Sequence, residues 1–442
     1  MLRKLLIILL VFPFVLSAQN SIKGVFSPAS EYTWAILYKT TATANVYISQ
    51  LKMVGGEVTF ELGPEQTEGL YRVVYGIPQE ENNFDVFYNG VNGSEFIFNA
   101  ETGAVFVSED ENKILQDYTN TMIELGDEIS RLYASRSAKK SAYEALFKSQ
   151  KNIQSEFEKQ TKGMIIEPFV KASKPYISSN YQDSANYLSH IKDTYFKNID
   201  FKNPLIQGSS FLKERALSFI LGMPGSNGNM KEAYPDNIDA FVNVIKNTED
   251  NFQRVFLRHI WGKLADNNMP NLANYLAEKH LIPVAQRMED KDLESMLRTY
   301  INLSIGNKAP NFSWEQEDEK GTVTFGNLYE LDVAENYIII FWSSACSHCL
   351  KEIPQLQKFV NGLDDGSYKV IAIGLEDEGS SWKSETYYYP EFIHVHGLGK
   401  WDNQIGRDYG INSTPTYFVL DKDKKFTLKP DGFESLLKSI KQ

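Results

Sequence analysis

Over residues 19–108, short apolar-rich runs recur, at 22–26, 34–38, 46–51, 57–62, 70–75, 83–88, 95–98 and 105–107. Runs of this length read as strands, and Gly55-Gly56, Gly63-Pro64 and Asn89-Gly90 supply turns between them. Regular short strands of this kind predict an antiparallel β sandwich or small barrel. From residue 109 the pattern changes. Ile114, Leu115, Tyr118, Met122, Leu125, Ile129 and Leu132 recur at helical spacing, which predicts a helix over 112–148. Further helices fit 149–161, 166–172, 184–197, 209–221, 238–247, 251–267, 272–279 and 290–300, so 109–304 reads as an all-α region. The glycine-rich stretch 222–228 is its clearest loop, and Pro235, Pro270 and Pro283 punctuate the rest. Beyond residue 305, strands and helices alternate. Tyr337-Ile-Ile-Ile-Phe341 is apolar throughout, and the run 368–374 is apolar apart from Lys369, as strands covered on both faces are. Between them Leu350, Ile353, Leu356, Phe359 and Val360 follow a helical period. A helix over 380–388, a strand over 392–396, a short helix over 404–409, a hairpin over 416–420 and 425–428 and a closing helix over 432–441 complete an α/β pattern. The fold class expected is therefore multidomain: a β domain at 19–108, a helical domain at 109–304 and an α/β domain at 305–442.

The first eighteen residues stand apart. Arg3 and Lys4 precede an apolar run from Leu5 to Leu16, and Ser17-Ala18 follow. A positive start, a short apolar core and small residues at the end describe a secretory signal, with cleavage expected after Ala18. The run is too short to cross a bilayer. No cysteine follows it, so a lipoprotein anchor is not expected. The chain is thus expected to be exported, and to act in the periplasm. A net charge of −12 with no basic patch argues against nucleic acid and anionic membrane as partners.

An exported chain of 442 residues with two cysteines is not a disulfide scaffold. Both fall in one motif, Trp342-Ser-Ser-Ala-Cys346-Ser-His348-Cys349-Leu-Lys-Glu352-Ile-Pro354, between the apolar strand and the helix. Cysteines three apart in a first helical turn share a face and come close enough for a disulfide. The first sits where unpaired N–H groups and the positive helix end favour an anion. Such settings lower a cysteine pKa from about 8.5 to roughly 3.5–7.5. Cys346 is therefore expected to be the nucleophile and Cys349 the resolving thiol, with His348 between them as a further stabiliser of the thiolate. Zinc asks for four ligands, and no second cysteine pair exists, so no metal is expected. His394 and His396 alternate on one strand and read as an exposed edge; His190, His259 and His280 fall on separate helices as packing or surface residues. Trp34, Tyr38, Tyr71 and Tyr75 read as core of the β domain.

Residues 305–442 resemble the TlpA/ResA-type branch of the thioredoxin superfamily, extracytoplasmic thiol–disulfide oxidoreductases. Four motifs in order carry the resemblance: Ile305-Gly-Asn-Lys-Ala-Pro-Asn-Phe312, Phe341-Trp342 before Cys346, Cys349-Leu-Lys-Glu352-Ile-Pro354, and Thr414-Pro415-Thr416-Tyr-Phe-Val-Leu-Asp421. The β and helical regions are similar to those preceding TlpA-like domains in Bacteroidota-type exported proteins. The resemblance implies a thioredoxin-like fold and a redox disulfide Cys346–Cys349. It also implies a cis Pro415 opposite the nucleophile, and Trp342, Thr414 and Pro415 at the substrate. It makes Glu352 the residue that handles the proton of Cys349. The alternative for Glu352 is a glutamate that simply complements the helix dipole. Two positions depart from the wider pattern: Ile340 stands where thioredoxin has a buried aspartate, and Ala345 where the branch often has tryptophan.

The activity expected is thiol–disulfide exchange without cofactor. Its substrate would be a disulfide- or thiol-containing exported protein, and a membrane or periplasmic electron donor would restore the pair. The motif Cys-x-x-Glu-x-Pro favours the reducing direction. His348 favours an oxidant or isomerase, because a stabilised thiolate favours the reduced form. A thiol peroxidase would need a threonine-like hydroxyl before Cys346, for which Ser343 is the only candidate. A binding or assembly protein with a vestigial redox pair is the reading from another class. The helical region carries no catalytic motif; placing or shielding the redox domain, or forming a homodimer, are the roles left to it.

Overall fold

The computed structural model describes residues 20–135, 138–225, 229–317 and 322–440. The expected signal segment lies outside them. The chain divides into two compact units, Met1–Lys263 and Leu264–Gln442.

The first unit opens with eight strands: β1 (Ser21–Ser27), β2 (Trp34–Thr40), β3 (Asn45–Lys52), β4 (Glu57–Glu61), β5 (Gly69–Val74), β6 (Asn83–Tyr88), β7 (Ser94–Asn99) and β8 (Gly103–Phe106). They form two open four-stranded sheets, ordered β4-β1-β7-β8 and β3-β2-β5-β6. This corrects the expectation in two ways. There is no closed barrel among the described residues, and β1 runs parallel to β7, so the sheets are not wholly antiparallel. Alternation still decides which side chains go inward: Val58 and Phe60 of β4 and Phe96 and Phe98 of β7 are buried, while Ile97 between them is exposed. The core is aromatic, with Phe26, Tyr32, Tyr75, Phe84, Phe96 and Phe98 in mutual contact. Gly24 lies opposite Phe96 in register, and a Cβ there would overlap the Phe96 ring. All six residues of β5 are buried, since the face turned away from the sandwich is covered as well.

Helices follow: α1 (Glu111–Ser135), α2 (Lys140–Gln160), α3 (Glu167–Ala172), α4 (Ser184–Thr194), α5 (Pro204–Gly208), α6 (Ser210–Gly222), α7 (Met230–Ile245) and α8 (Asp250–Asp266). The single helix expected over 112–148 is two. The second turns back on the first, so that Ile129 meets Tyr143 and Phe147 in one core, and the Tyr143 hydroxyl donates to the Leu132 carbonyl near the end of α1.

In the second unit α9 (Pro270–Leu276) runs through a π turn at Ala277–Leu281 into α10 (Ile282–Arg287), and α11 (Lys291–Asn302) follows. Pro283, expected to interrupt the helix, sits in the first turn of α10, where its missing N–H costs least. A hairpin of β9 (Ser313–Glu317) and β10 (Val323–Asn327) precedes the α/β part. That part comprises β11 (Asn336–Trp342), α12 (Ser347–Val360), β12 (Tyr368–Glu376), α13 (Gly379–Thr386), β13 (Ile393–Leu398), α14 (Gln404–Asp408), β14 (Thr416–Asp421), β15 (Phe426–Leu428) and α15 (Phe433–Ile440). Its sheet has the order β13-β12-β11-β14-β15, with β11 parallel to β12 and antiparallel to β14. Tyr337, Ile339 and Phe341 of β11 enter one core, and Ile338, Ile340 and Trp342 the other. A strand that feeds two cores must be apolar at every position, which is why Tyr337–Phe341 carries no alternation.

Candidate active site

Trp342 ends the central strand, and four residues later Cys346 begins α12 as its N-cap. The Cys346 sulfur accepts the Cys349 N–H at 3.2 Å and forms a disulfide with the Cys349 sulfur, the two Cα atoms being 5.2 Å apart. Cys346 is half-buried and Cys349 fully buried. Only the first sulfur of the pair is therefore accessible to another protein. The unpaired N–H groups of the first turn face that same sulfur, the arrangement that stabilises a thiolate once the pair is reduced.

Across from it lies the loop before β14. The Thr414–Pro415 peptide is cis, and the Thr414 carbonyl oxygen stands 3.4 Å from the Cys346 sulfur. Both residues are half-buried. Glu352, one turn past Cys349 on α12, is half-buried and accepts the Tyr417 hydroxyl at 2.8 Å. Burial, together with the hydrogen bond and charge of Glu352, pushes the Tyr417 phenol well above its usual range. Tyr417 is thus a fixed neutral donor that orients the carboxylate. His348, in the first turn, is exposed.

Trp342 requires a correction. It is fully buried, packed with Cys349, Ile353 and Tyr417 beneath the pair, and it is not placed to touch a substrate. Ile340 lies in the same core, so no carboxylate reaches the pair from that strand. Ser343, weighed as a peroxidase hydroxyl, is also committed elsewhere. Its hydroxyl donates to Glu376 at 3.2 Å and accepts the Ala345 N–H at 3.2 Å.

Glu376 is the site residue that local sequence patterns do not mark. It ends β12, is 4% exposed, and accepts the Ser344 N–H at 2.6 Å as well as the Ser343 hydroxyl. Parallel pairing with β11 brings the end of β12 beside the loop that leads to Cys346. A glutamate at the carboxyl end of a parallel strand was the available signal, since functional groups gather at such ends. The Ser344 hydroxyl lies 3.0 Å from that of Ser381 on α13, and Trp382 of that helix stacks on His396 with ring centroids 4.4 Å apart. Burial holds His396 below its usual pKa, against the opposing charge of Glu376. His394 is likewise lowered by burial, and its ring Nε2 meets the Tyr389 carbonyl oxygen at 2.8 Å.

The stretch that carries this pair is similar to known proteins. Residues 305–428 match the AhpC/TSA family. The chain is 27% identical over 137 residues to the thiol-disulfide oxidoreductase ResA of Bacillus anthracis, covering 28% of this chain and 67% of that protein. It is 27% identical over 138 residues to a ResA of Bacillus cereus, covering 29% and 71%. Among solved structures, a thioredoxin-like protein from Bacteroides caccae aligns with 17% identity over 52% of this chain and 93% of that one, with a TM-score of 0.31. A thiol:disulfide interchange protein from Bacteroides sp. aligns with 23% identity over 32% and 90%, with a TM-score of 0.27. The C-terminal domain is a thioredoxin-like thiol–disulfide oxidoreductase. Within that class it is similar to the TlpA/ResA type, a likeness that implies thiol-containing protein substrates.

Proposed function

We propose that this protein is an exported thiol–disulfide oxidoreductase that reduces disulfides of other exported proteins in the periplasm. The observation that carries the reading is the asymmetry of the pair: Cys346 accessible at the start of α12, Cys349 buried behind it. In the reducing direction the Cys346 thiolate attacks one sulfur of a substrate disulfide, and the substrate's other sulfur leaves as a thiolate. Cys349 gives up its proton towards Glu352 and attacks the Cys346 sulfur. The substrate's second thiolate leaves, and two electrons have passed to the substrate as the pair closes. An external dithiol donor, in the membrane or periplasm, returns them. The Thr414 carbonyl and cis Pro415 line the approach and would align an extended substrate segment by its backbone.

The Arg3-Lys4 start and apolar run to Leu16 support export. The parsing into 19–108, 109–304 and 305–442, and a homodimer through the helical region, belong to the same proposal.

A Cys349→Ser variant should accumulate mixed disulfides at Cys346, identifiable by mass spectrometry. A Cys346→Ser variant should accumulate none. Equilibration against glutathione decides direction: a potential near about −270 mV supports the reductase, and one near about −120 mV the oxidant that exposed His348 favours. The match to the AhpC/TSA family raises a thiol peroxidase as second reading. The commitment of Ser343 to Glu376 weighs against it. Peroxide turnover that persists in Cys349→Ser would reinstate it.

A further inference from the structure

The outer face of β5 meets α6 and α8 in the first unit around a cavity of about 410 Å³. Pockets for small ligands occupy roughly 300–1,000 Å³. Tyr71 and Val73 of β5 point into the sandwich, so Arg72 points the other way, and it is only 5% exposed. Its Nε donates to Asp85 at 2.8 Å, and its Nη2 donates to the Gly208 carbonyl at 3.2 Å and the Ser210 hydroxyl at 3.1 Å. The second Asp85 oxygen accepts the Ser210 N–H at 2.7 Å. Arg72 and Asp85 thus form a fixed wall in which one guanidinium nitrogen, Nη1, makes no hydrogen bond among the described residues.

Two further groups converge on the same space. Lys213 lies one turn along α6 from Ser210, and His259 projects from α8. Among the described residues neither has a hydrogen-bond or ion-pair partner, whereas Lys263, one turn beyond His259, is paired with Glu81 at 3.2 Å. The other carboxylates of the lining, Glu80 and Glu214, are exposed at the rim. An ammonium withdrawn from water and left unpaired is costly, and a charge-assisted hydrogen bond to an anion removes that cost.

We infer that this cavity binds a small ligand through an oxyanion, a carboxylate or a phosphate, held by Lys213, Arg72 Nη1 and the His259 ring. The electrostatics of the empty cavity agree. Burial and the Arg72 charge, against Asp85, hold Lys213 down to about 8. Burial and the cations Lys213, Lys263 and Arg72 hold His259 down to about 4. A bound oxyanion opposes both shifts, so binding takes up protons near pH 8 and weakens as pH rises through that value. The groups facing Lys213 are Arg72 and Asp85 from the sheet, Glu214 from its own helix, His259 and Lys263 from α8, and Glu80 and Glu81 from the loop between β5 and β6.

Titration calorimetry on the full chain, with inorganic phosphate in one arm and glycylglycine in the other, tests this. Binding of either probe, weakened tenfold or more in Lys213→Gln and retained in Lys213→Arg, supports the site, and the arm that binds names the source of the oxyanion. Proton uptake, read by repeating the titration in buffers of different ionisation enthalpy, should accompany it. No binding of either probe at millimolar concentration overturns the inference. So does binding that Lys213→Gln and His259→Gln leave unchanged.

Discussion

At the scale of single residues, Glu376 makes the sharpest prediction. Its carboxylate is buried against Ser343 and Ser344, and both of its hydrogen bonds go to the loop that positions the Cys346 sulfur. Glu376→Gln keeps the shape and removes the charge. With less negative potential at the site, the thiolate of reduced Cys346 becomes more favourable, which stabilises the reduced pair. The potential should become more oxidising by about 30 mV for each 1.4 kcal/mol of that stabilisation. Alkylation rate against pH, with a glutathione titration, checks both. Glu376→Ala additionally frees the Ser343–Cys346 loop and should slow exchange. Tyr417→Phe tests the other carboxylate. Without its donor, Glu352 is no longer held, so resolution of the mixed disulfide should slow about tenfold at a cost of ~1 kcal/mol in stability. Stopped-flow with a substrate disulfide separates attack by Cys346 from resolution by Cys349. The two cysteines, Glu352 and Pro415 were legible because local motifs mark them. Glu376 and Tyr417 were not, since each reaches the site by strand pairing or across a core, and no local spacing encodes that.

Among the elements, well-bounded patterns were readable. The eight strands of the first unit lie within one or two residues of the apolar-rich runs that predict them, because turn residues bound each run. Such a run does not say which strand pairs with which, nor in which direction. The parallel β1–β7 contact joins residues some seventy apart, and nothing in either strand announces it. The break between α1 and α2 was hidden for a related reason. Only alanines, at 134, 138 and 142, keep the helical spacing across it, and Tyr143 and Phe147 of α2 pack back on Ile129. One element can be tested by a single substitution. Gly24→Val should force the Phe96 ring out of its place and cost roughly 1–3 kcal/mol. The loss should appear as a lower Tm for the first unit, with the redox activity of the second retained.

For the whole molecule, histidines set the response to mild acid. His259, His394 and His396 are each held below the ordinary histidine value, in every case chiefly by burial. A histidine with a lowered folded pKa is protonated in the unfolded chain before it is protonated in the native one. Between those two values the unfolded state holds more protons, so stability falls as pH falls. For His259 that window runs from 6.5 down to about 4. The carboxylates lowered by ion pairs or capping, Glu158 and Asp183 among them, lose their contribution only as pH drops below the ordinary carboxylate range. Glu214, raised by the desolvation of its partly covered carboxyl and by the Asp85 charge, acts in the opposite sense. Acid sensitivity above about pH 5 therefore belongs to the histidines. His259 lies in the first unit, and the other two in the second. His259→Gln should accordingly remove ~1–2 kcal/mol of the acid-induced loss between about pH 6.5 and 4.5 in the first unit alone, a figure reduced from the full shift because the ring is only half-buried. Hydrogen exchange resolved by peptide reads each unit separately. Equal flattening in both units, or in neither, would show that burial of His259 does not control the transition.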